Sequence, residues 1–350
     1  MLLLLGSGLN TLRVPFSQRI PGATGIKAGK AGTPLAGNDP TYRGGMDART
    51  EFHDFLTSRR SRLTPERAGL PVYGGNRRVP GLRREEVALL AGMSVDYYVR
   101  LERGNAKGVS DSVLEALARA LQLDEAERAH LFDLAGAVNA GAQARSVSRG
   151  RGSRNTARPR VRPSVQRIID SMATVPAYAR NRRFDVLGSN RLGRALMSPV
   201  LEDSTRPPNL ARFLFLDPAA REYYRDWDGV ANDVVAVLRS EAGVDPHDKP
   251  LQDLVGELST RSEVFRTRWA THNVRFHRTG AKNFHHPVVG DLDLVYDAME
   301  LPADPGLTLV AYSAEPGSAS QDGLNLLASW AATLELEADR ADGAPRRQAI

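Results

Sequence analysis

The chain has no cysteine among its 350 residues. That excludes disulfides, thiol redox sensing and thiolate-ligated zinc or iron–sulfur centres. Long hydrophobic runs are missing too. The opening "MLLLLGSGL" lacks a basic leader and falls short of the roughly 20 apolar residues that span a bilayer, so neither a signal peptide nor a membrane partner is expected. Acidic residues are scarce in two stretches. Thr57 to Arg84 holds eight arginines and one acid, Glu66, and Gly141 to Ile169 holds eight arginines and no acid. From Ile168 to Glu335, by contrast, 23 acids face 17 bases, a net of −6. A basic front and an acidic back suggest division of labour. The overall charge of +6 permits nucleic-acid binding without establishing it.

At about 150 residues per domain, this length predicts two domains. Charged and hydrophobic fractions of 25% and 41% are ordinary for globular chains. Residues 1–45 are rich in Gly, Thr, Pro and Ser without apolar period, and read as a disordered extension; Met46 resembles a translation start. A compact domain is expected over 46–138, a basic linker over 139–160, a second domain over 161–336 and a disordered tail over 337–350. The front half reads as five short helices, starting near Asp47, Arg84, Ser94, Ser110 or Asp111, and Asp124. A loop with three prolines separates the first two. In the back half, "RPSVQRIIDSM" reads as a helix and "AYARNRRFDVLGSN" as a strand pair. "DPAAREYYRDWDGVANDVVAVLRSEAG" reads as one long amphipathic helix ended by Gly243, followed by helices in "LQDLVGELS" and "SEVFRTRWATH". "NVRFHR", "LDLVYDAMEL" and "LTLVAYSAEP" read as strands, and a helix closes the domain. The expected classes are all-α in front and α+β behind.

The segment "REEVALLAGMSVDYYVRLERG" has helix-turn-helix spacing. Ala88 supplies the small residue at a steep helix crossing, and Gly92 the residue that tolerates positive φ in the turn. Val87, Leu89, Tyr98 and Leu101 are the expected core positions. The outer face of the following helix is then free to enter a DNA major groove. The competing reading is a pair of ordinary packed helices.

Here the sequence resembles the Cro/phage-repressor-like (XRE) helix-turn-helix regulators, and within them the MmyB-like group of actinobacterial regulators. The resemblance rests on "VPGLRREEVALLAGMSVDYYVRLERG", "VLEALARALQLDEAERAHLFDLA", "PAYARNRRFDVLGSN", "SEVFRTRWATHNVRFHRTGAKNFHHPVVGDLDL" and "AEPGSAS", roughly residues 46 to 335. It implies a five-helix DNA-binding domain followed by an α+β PAS-like ligand-binding domain, associated with fatty-acid-like ligands. The superfamily often places a phosphate-touching, helix-orienting glutamine where this chain has Arg84. An arginine keeps a phosphate contact but is expected to lose the orienting role. The proline-rich loop is also longer than in simple phage repressors.

The candidate DNA-binding residues are Arg83, Arg84, Ser94, Val95, Asp96, Tyr97 and Arg100. Arg83 and Arg84 start a helix, where dipole and side chain both attract phosphate; a solvated basic face is the alternative. Arg100 can bond guanine O6 and N7, or hold phosphate, and Tyr97 can meet a thymine methyl. Asp96 either reads cytosine or favours the helix dipole. Glu102 reads as architecture, paired with Arg59 or Arg60. The candidate ligand-binding residues are Trp227, Phe265, Trp269, Tyr296 and Tyr312 as an apolar lining, with Arg183, Asn190, His272 and Arg275 as anchors for a carboxylate. Val295 and Leu309 belong to the same apolar set, and ordinary core is the alternative for all of them. His272, His277, His285 and His286 cluster in sequence, but not at the spacing of a metal-binding helix face. No metal or cofactor is expected. The partners expected are a double-stranded operator, a small amphipathic ligand and a second copy of the chain. Two rivals stay open: a back domain that only dimerises or binds another protein, and an enzyme, such as a hydrolase using His272 and an acid. No nucleophile elbow, phosphate loop or metal motif supports the enzyme.

Overall fold

The computed structural model describes residues 47–71, 79–144, 160–201, 207–274 and 278–342. The front domain consists of α1 (Ala48–Arg62), α2 (Arg84–Leu90), α3 (Val95–Glu102), α4 (Asp111–Ala120) and α5 (Glu125–Ala144). Local chemistry sets their starts. The Asp47 carboxylate accepts the Arg49 N–H at 3.2 Å at the head of α1, and the Ser94 hydroxyl accepts the Tyr97 N–H at 3.2 Å at the head of α3. Asp124 and Glu127 form a reciprocal capping box at 2.8 and 3.1 Å before α5. Ser110 precedes α4 but makes no capping hydrogen bond.

Phe52, Phe55 and Leu56 of α1 pack with Val87 and Ala88 of α2, Tyr98 and Leu101 of α3, Leu117 of α4, and Leu131 and Leu134 of α5. Gly92 takes φ +65° in the turn. Leu89 is a correction: it is 73% exposed. With about 100° between successive helical residues, burying Val87 and Ala88 turns Leu89 to the outside.

The back domain runs α6 (Pro163–Ser171), β1 (Ala177–Asn181), β2 (Val186–Ser189), α7 (Arg191–Leu196), α8 (Ser198–Leu201), α9 (Leu210–Leu216), α10 (Ala220–Tyr223), α11 (Trp227–Val244), α12 (Lys249–Arg261), α13 (Glu263–Trp269), β3 (Thr279–His286), β4 (Gly290–Glu300), β5 (Leu307–Ser313) and α14 (Ala319–Asp342). The strands form one antiparallel sheet in the order β2-β1-β5-β4-β3. Its inner face carries Tyr178, Phe284, Leu292, Leu294, Tyr296, Val310 and Tyr312 into a core shared with α7, α9, α11 and α14. On the other face, Val165 and Ile169 of α6 cover Ala177, Ala179 and Leu309. Strand alternation leaves Val295 49% exposed on β4, although the sequence placed it with the apolar set.

Three sequence expectations change. The long helix is split, because Tyr224 bridges to Phe284 and Arg225 N–H donates to Asn283 O at 2.9 Å. Asp226 then caps α11, accepting the Gly229 N–H at 3.0 Å. Gly243 lies inside α11 rather than ending it. The third strand occupies Thr279–His286, downstream of "NVRFHR". Helices α7 to α9 add to the elements expected from the sequence. In addition, α5 continues to Ala144 and α14 to Asp342, each six residues beyond the expected boundaries at 138 and 336.

A short segment after α13 joins the domains. Arg59 of α1 donates to His272 O at 2.5 Å. Arg62 donates to Asn273 Oδ1 at 2.6 Å and to Thr271 O. Val274 is buried within the front-domain core. Nearby, α5 packs on α11 at Gly243, where a Cβ would lie 2.5 Å from the His130 ring. Among the described residues, no helix is long and apolar enough to cross a membrane.

Candidate functional site

The head of α3 is an exposed face of the helix-turn-helix. Ser94, Asp96 and Arg100 are exposed and Tyr97 is half-buried, with Val95 43% exposed. The Arg100 guanidinium lies 4.7 Å from the Tyr97 ring centroid, so the two side chains act as one aromatic–cationic unit. Ser94 is committed to the helix cap. That bond uses one lone pair of the hydroxyl and leaves its proton available to donate.

The tail of α3 is fixed by Glu102, which is 1% exposed. Arg60 Nε donates to its Oε1 at 2.5 Å, Arg84 Nε to its Oε2, and Tyr98 Oη to Oε1 at 3.3 Å. Burial alone would raise the Glu102 carboxyl, but the hydrogen bonds from Arg60 and Arg84 outweigh it and hold the group low. The same bond to Glu102 raises Arg84. Arg60 is thus the first-helix partner. Arg59 turns instead toward Glu127 at 3.1 Å, and burial lowers it to about 10. The expected loss of an orienting role at Arg84 is corrected: its ion pair ties the first residue of α2 to the last of α3. Arg83 N–H donates to Glu86 Oε2 at 2.6 Å, and its half-exposed guanidinium stands 3.6 Å from Glu85.

The ligand candidates do not gather at one place. Trp227, Phe265 and Trp269 form an aromatic run with Phe215: ring centroids are 6.0 Å apart for Phe215–Trp227, 5.0 Å for Phe215–Phe265 and 5.6 Å for Phe265–Trp269. Tyr296 and Tyr312, 6.2 Å apart, belong to a second aromatic group on the sheet. Of the polar anchors, Arg183 sits between Asp185 at 3.4 Å and Asp248 at 3.5 Å. Asn190 donates to Met172 O and Val175 O, both at 2.7 Å, and accepts from Ala177 N–H at 3.1 Å and Gly193 N–H at 2.6 Å. Its amide capacity is spent on the fold, which corrects its assignment as an anchor. Arg275 and His277 lie outside the described residues, as does the linker from 145 to 159.

His272 is another correction, because it faces the front domain. Its Nδ1 is 2.9 Å from Arg239 Nη1 and 3.8 Å from Glu51 Oε2, and its Nε2 is 3.8 Å from Asp54 Oδ2. Burial, reinforced by Arg239, Arg59 and Arg62, lowers it to about 3. Arg239, 1% exposed, also donates to Glu51 Oε2 at 2.5 Å and to Trp269 O, and its guanidinium lies 4.0 Å from the Trp269 ring. His286 is a buried strand residue whose Nε2 lies 3.0 Å from Ala195 O. His285 pairs with Asp291 at 2.6 Å. Among the described residues, no three His, Asp or Glu side chains converge as a metal site.

Sequence reasoning missed Arg239, Glu51 and Arg180. Arg239 had a legible signal, a charge inside the apolar run "VVAVLRSEAG". So did Arg180, two residues from the inward Tyr178 on β1. A cavity of about 370 Å³ opens where α5 meets α11, β1, β4 and β5, and Arg180 and His130 line it. None of the described ligand candidates does. A second cavity, of about 320 Å³, borders Asn190, Arg191, Arg194 and Glu335.

Residues 161–327 match the family model described as the MmyB-like transcription regulator ligand binding domain. Residues 51–131 match that of a helix-turn-helix domain. No curated protein matches the chain.

Proposed function

The chain combines a helix-turn-helix domain with an MmyB-like ligand-binding domain, the make-up of an MmyB-like regulator of the XRE type; from that premise we propose that it is a sequence-specific, ligand-responsive transcription regulator acting on double-stranded DNA in the cytoplasm. The two domains point to a regulator rather than an enzyme.

In this reading the head of α3 enters the major groove. Val95, Asp96, Tyr97 and Arg100 meet base edges, while Arg83, Arg84 and Ser94 meet the phosphates on either side. The observation that carries it is the pairing of an exposed α3 head with a rigidly held α3 tail. A reading helix must be accessible, yet fixed in orientation, for its contacts to discriminate bases. The five-stranded antiparallel sheet with its helical insertion supports a PAS-like sensor domain, and the match of residues 161–327 to a ligand-binding domain supports a small-molecule ligand, which we take to be amphipathic and fatty-acid-like. Operators of this superfamily's geometry call for two copies of the chain, half-sites being spaced by a helical turn. A second reading, in which the back domain only mediates association, draws on Leu326, Leu334 and Leu336, which α14 leaves exposed.

The test is selection of duplexes from a random library by the full chain, followed by binding of the enriched and a scrambled duplex over a salt series. Enrichment of a two-fold-related motif is expected. Equal affinity for both duplexes would refute sequence-specific reading, and a retained motif with no response to any lipid or amphiphile would favour the association reading.

A further inference from the structure

The last turn of α1 carries Arg59, Arg60 and Arg62. With about 100° between successive helical residues, Arg59 and Arg62 stand about 60° apart and Arg60 points nearly opposite to Arg62. The turn is gripped on both flanks. On one, Arg60 Nε donates to Glu102 Oε1 at 2.5 Å, at the tail of α3, and its Nη1 donates to Leu82 O at 3.0 Å, on the approach to α2. That approach has no slack. Leu82 N–H lies 3.0 Å from Arg60 O and 2.9 Å from Leu63 O, and a Cβ on Gly81 would lie 2.4 Å from Ser61 O. Earlier on α1, His53 Nδ1 meets Glu102 O. On the other flank, Arg59 donates to His272 O, and Arg62 to Thr271 O and Asn273 Oδ1. The helix that aims α3 is therefore itself held by the back half of the chain.

Residues 271–274 are fixed from both domains. His272 takes φ +53°, a left-handed conformation that residues with a Cβ rarely adopt. Such residues persist where their surroundings over-determine them, and they gather at binding and switch regions. Here Arg239 Nη1 of α11 lies 2.9 Å from His272 Nδ1, and Asp54 Oδ2 of α1 lies 3.8 Å from its Nε2. Two residues on, Val274 is 6% exposed within the front-domain core. At the root of the segment, Arg239 also donates to Trp269 O, and Trp269 stacks on Phe265 at 5.6 Å. We propose that residues 271–274 are positioning residues for DNA reading: they hold the last turn of α1, which holds Glu102 and so sets the orientation of α3. The inference rests on the proposed regulator function and names the route of its regulation. A rearrangement of α11 or α13 reaches the reading helix through these four residues, and by linkage DNA biases the back domain through the same contacts.

The test uses the full chain, its enriched duplex and a scrambled duplex. Val274→Ala empties the seat in the front core without changing a charge. Arg62→Ala removes the donors to Thr271 and Asn273 at an exposed position. Each is expected to lower the ratio of enriched to scrambled affinity at least about threefold, and the double variant about tenfold, with the salt slope unchanged. Hydrogen exchange, which needs no DNA, is expected to quicken at the ends of α1 and α3 while α4 keeps the parent rate. A merely structural role would quicken α4 as well and leave the affinity ratio alone. An unchanged ratio in the double variant, a salt slope lowered by about one in Arg62→Ala, or quickening that includes α4 overturns the assignment. If the parent chain prefers no duplex, the regulator reading fails by itself; exchange confined to α1 and α3 then upholds the hold on α3, and exchange that spares α3 overturns it.

Discussion

Arg239 of the back domain and Glu51 of the front domain form an ion pair at 2.5 Å, with Arg239 1% and Glu51 19% exposed. The pair spans the boundary between the two domains. It is continued by His272 and by the Arg59 and Arg62 bonds to the segment after α13.

Removing one partner of such a pair strands the other in a poorly solvated place. Arg239→Ala is expected to cost about 3–5 kcal/mol and to uncouple the domains. All three tryptophans, Trp227, Trp269 and Trp330, lie in the back domain, so their fluorescence follows it selectively, whereas far-ultraviolet circular dichroism follows both. Urea transitions by the two probes should coincide in the parent chain and separate in Arg239→Ala. Coincident transitions in the variant would show that the boundary does not depend on this pair.

Glu102 is expected to be the most sensitive residue of the helix-turn-helix. Glu102→Ala leaves Arg60 and Tyr98 without their buried acceptor, at a cost of about 3 kcal/mol. Arg84→Ala removes a half-exposed partner and should cost less than about 1 kcal/mol. Chemical denaturation of the two variants compares them directly, and equal losses would contradict the central place given to the carboxylate.

On DNA, Arg100→Ala and Arg84→Ala should fail differently. Loss of Arg100 should cost about 1–3 kcal/mol on the selected operator and relax preference at one base pair. Loss of Arg84 removes the proposed phosphate contact and also slackens the α2–α3 link. It should weaken all sequences and lower the salt slope by about one. An unchanged specificity ratio in Arg100→Ala would place that side chain away from the bases.

Acidification should weaken the fold before the carboxylates titrate. Burial lowers His130 and His272 to about 3 each. Below about 6.5 the unfolded chain takes up protons that the folded chain refuses, so stability falls as pH falls. Glu51, raised by burial, works in the opposite sense above 4.5, so the clean window is pH 7.5 to 5.5. About 1 kcal/mol per histidine should be lost across it. His286 is lowered by burial as well, so His130→Asn should remove part of the slope and leave the share of His272 and His286, and an unaltered slope would assign the protons elsewhere.

Much of the front domain is legible because it is local. Caps, glycines and a 3.6-residue period act within one or two turns, and Ser94, Gly92, Tyr98 and Leu101 say the same thing at each level. Leu89 shows the limit: an apolar residue inside a motif is not thereby inside the core. The back domain is less legible because its decisive contacts are distant in sequence. Nothing near Tyr224 announces that Phe284 will break the long helix there. Asn190 has the chemistry of a ligand anchor, yet it serves as a knot tying Met172, Val175, Ala177 and Gly193 together. Arg180 and Arg239 could be noticed as charges in apolar surroundings, but their partners required the fold.

Val274 comes from the back half of the chain but completes the hydrophobic interior of the front half. The reading head is therefore not an interchangeable cassette. A chimera that grafts these five helices onto another receiver inherits a hole where Val274 belongs, together with the unanswered donors of Arg59 and Arg62, unless the recipient brings its own version of residues 271–274. Exchange of parts between such proteins should then proceed by whole pairs, with the head and the strap that seats it travelling together.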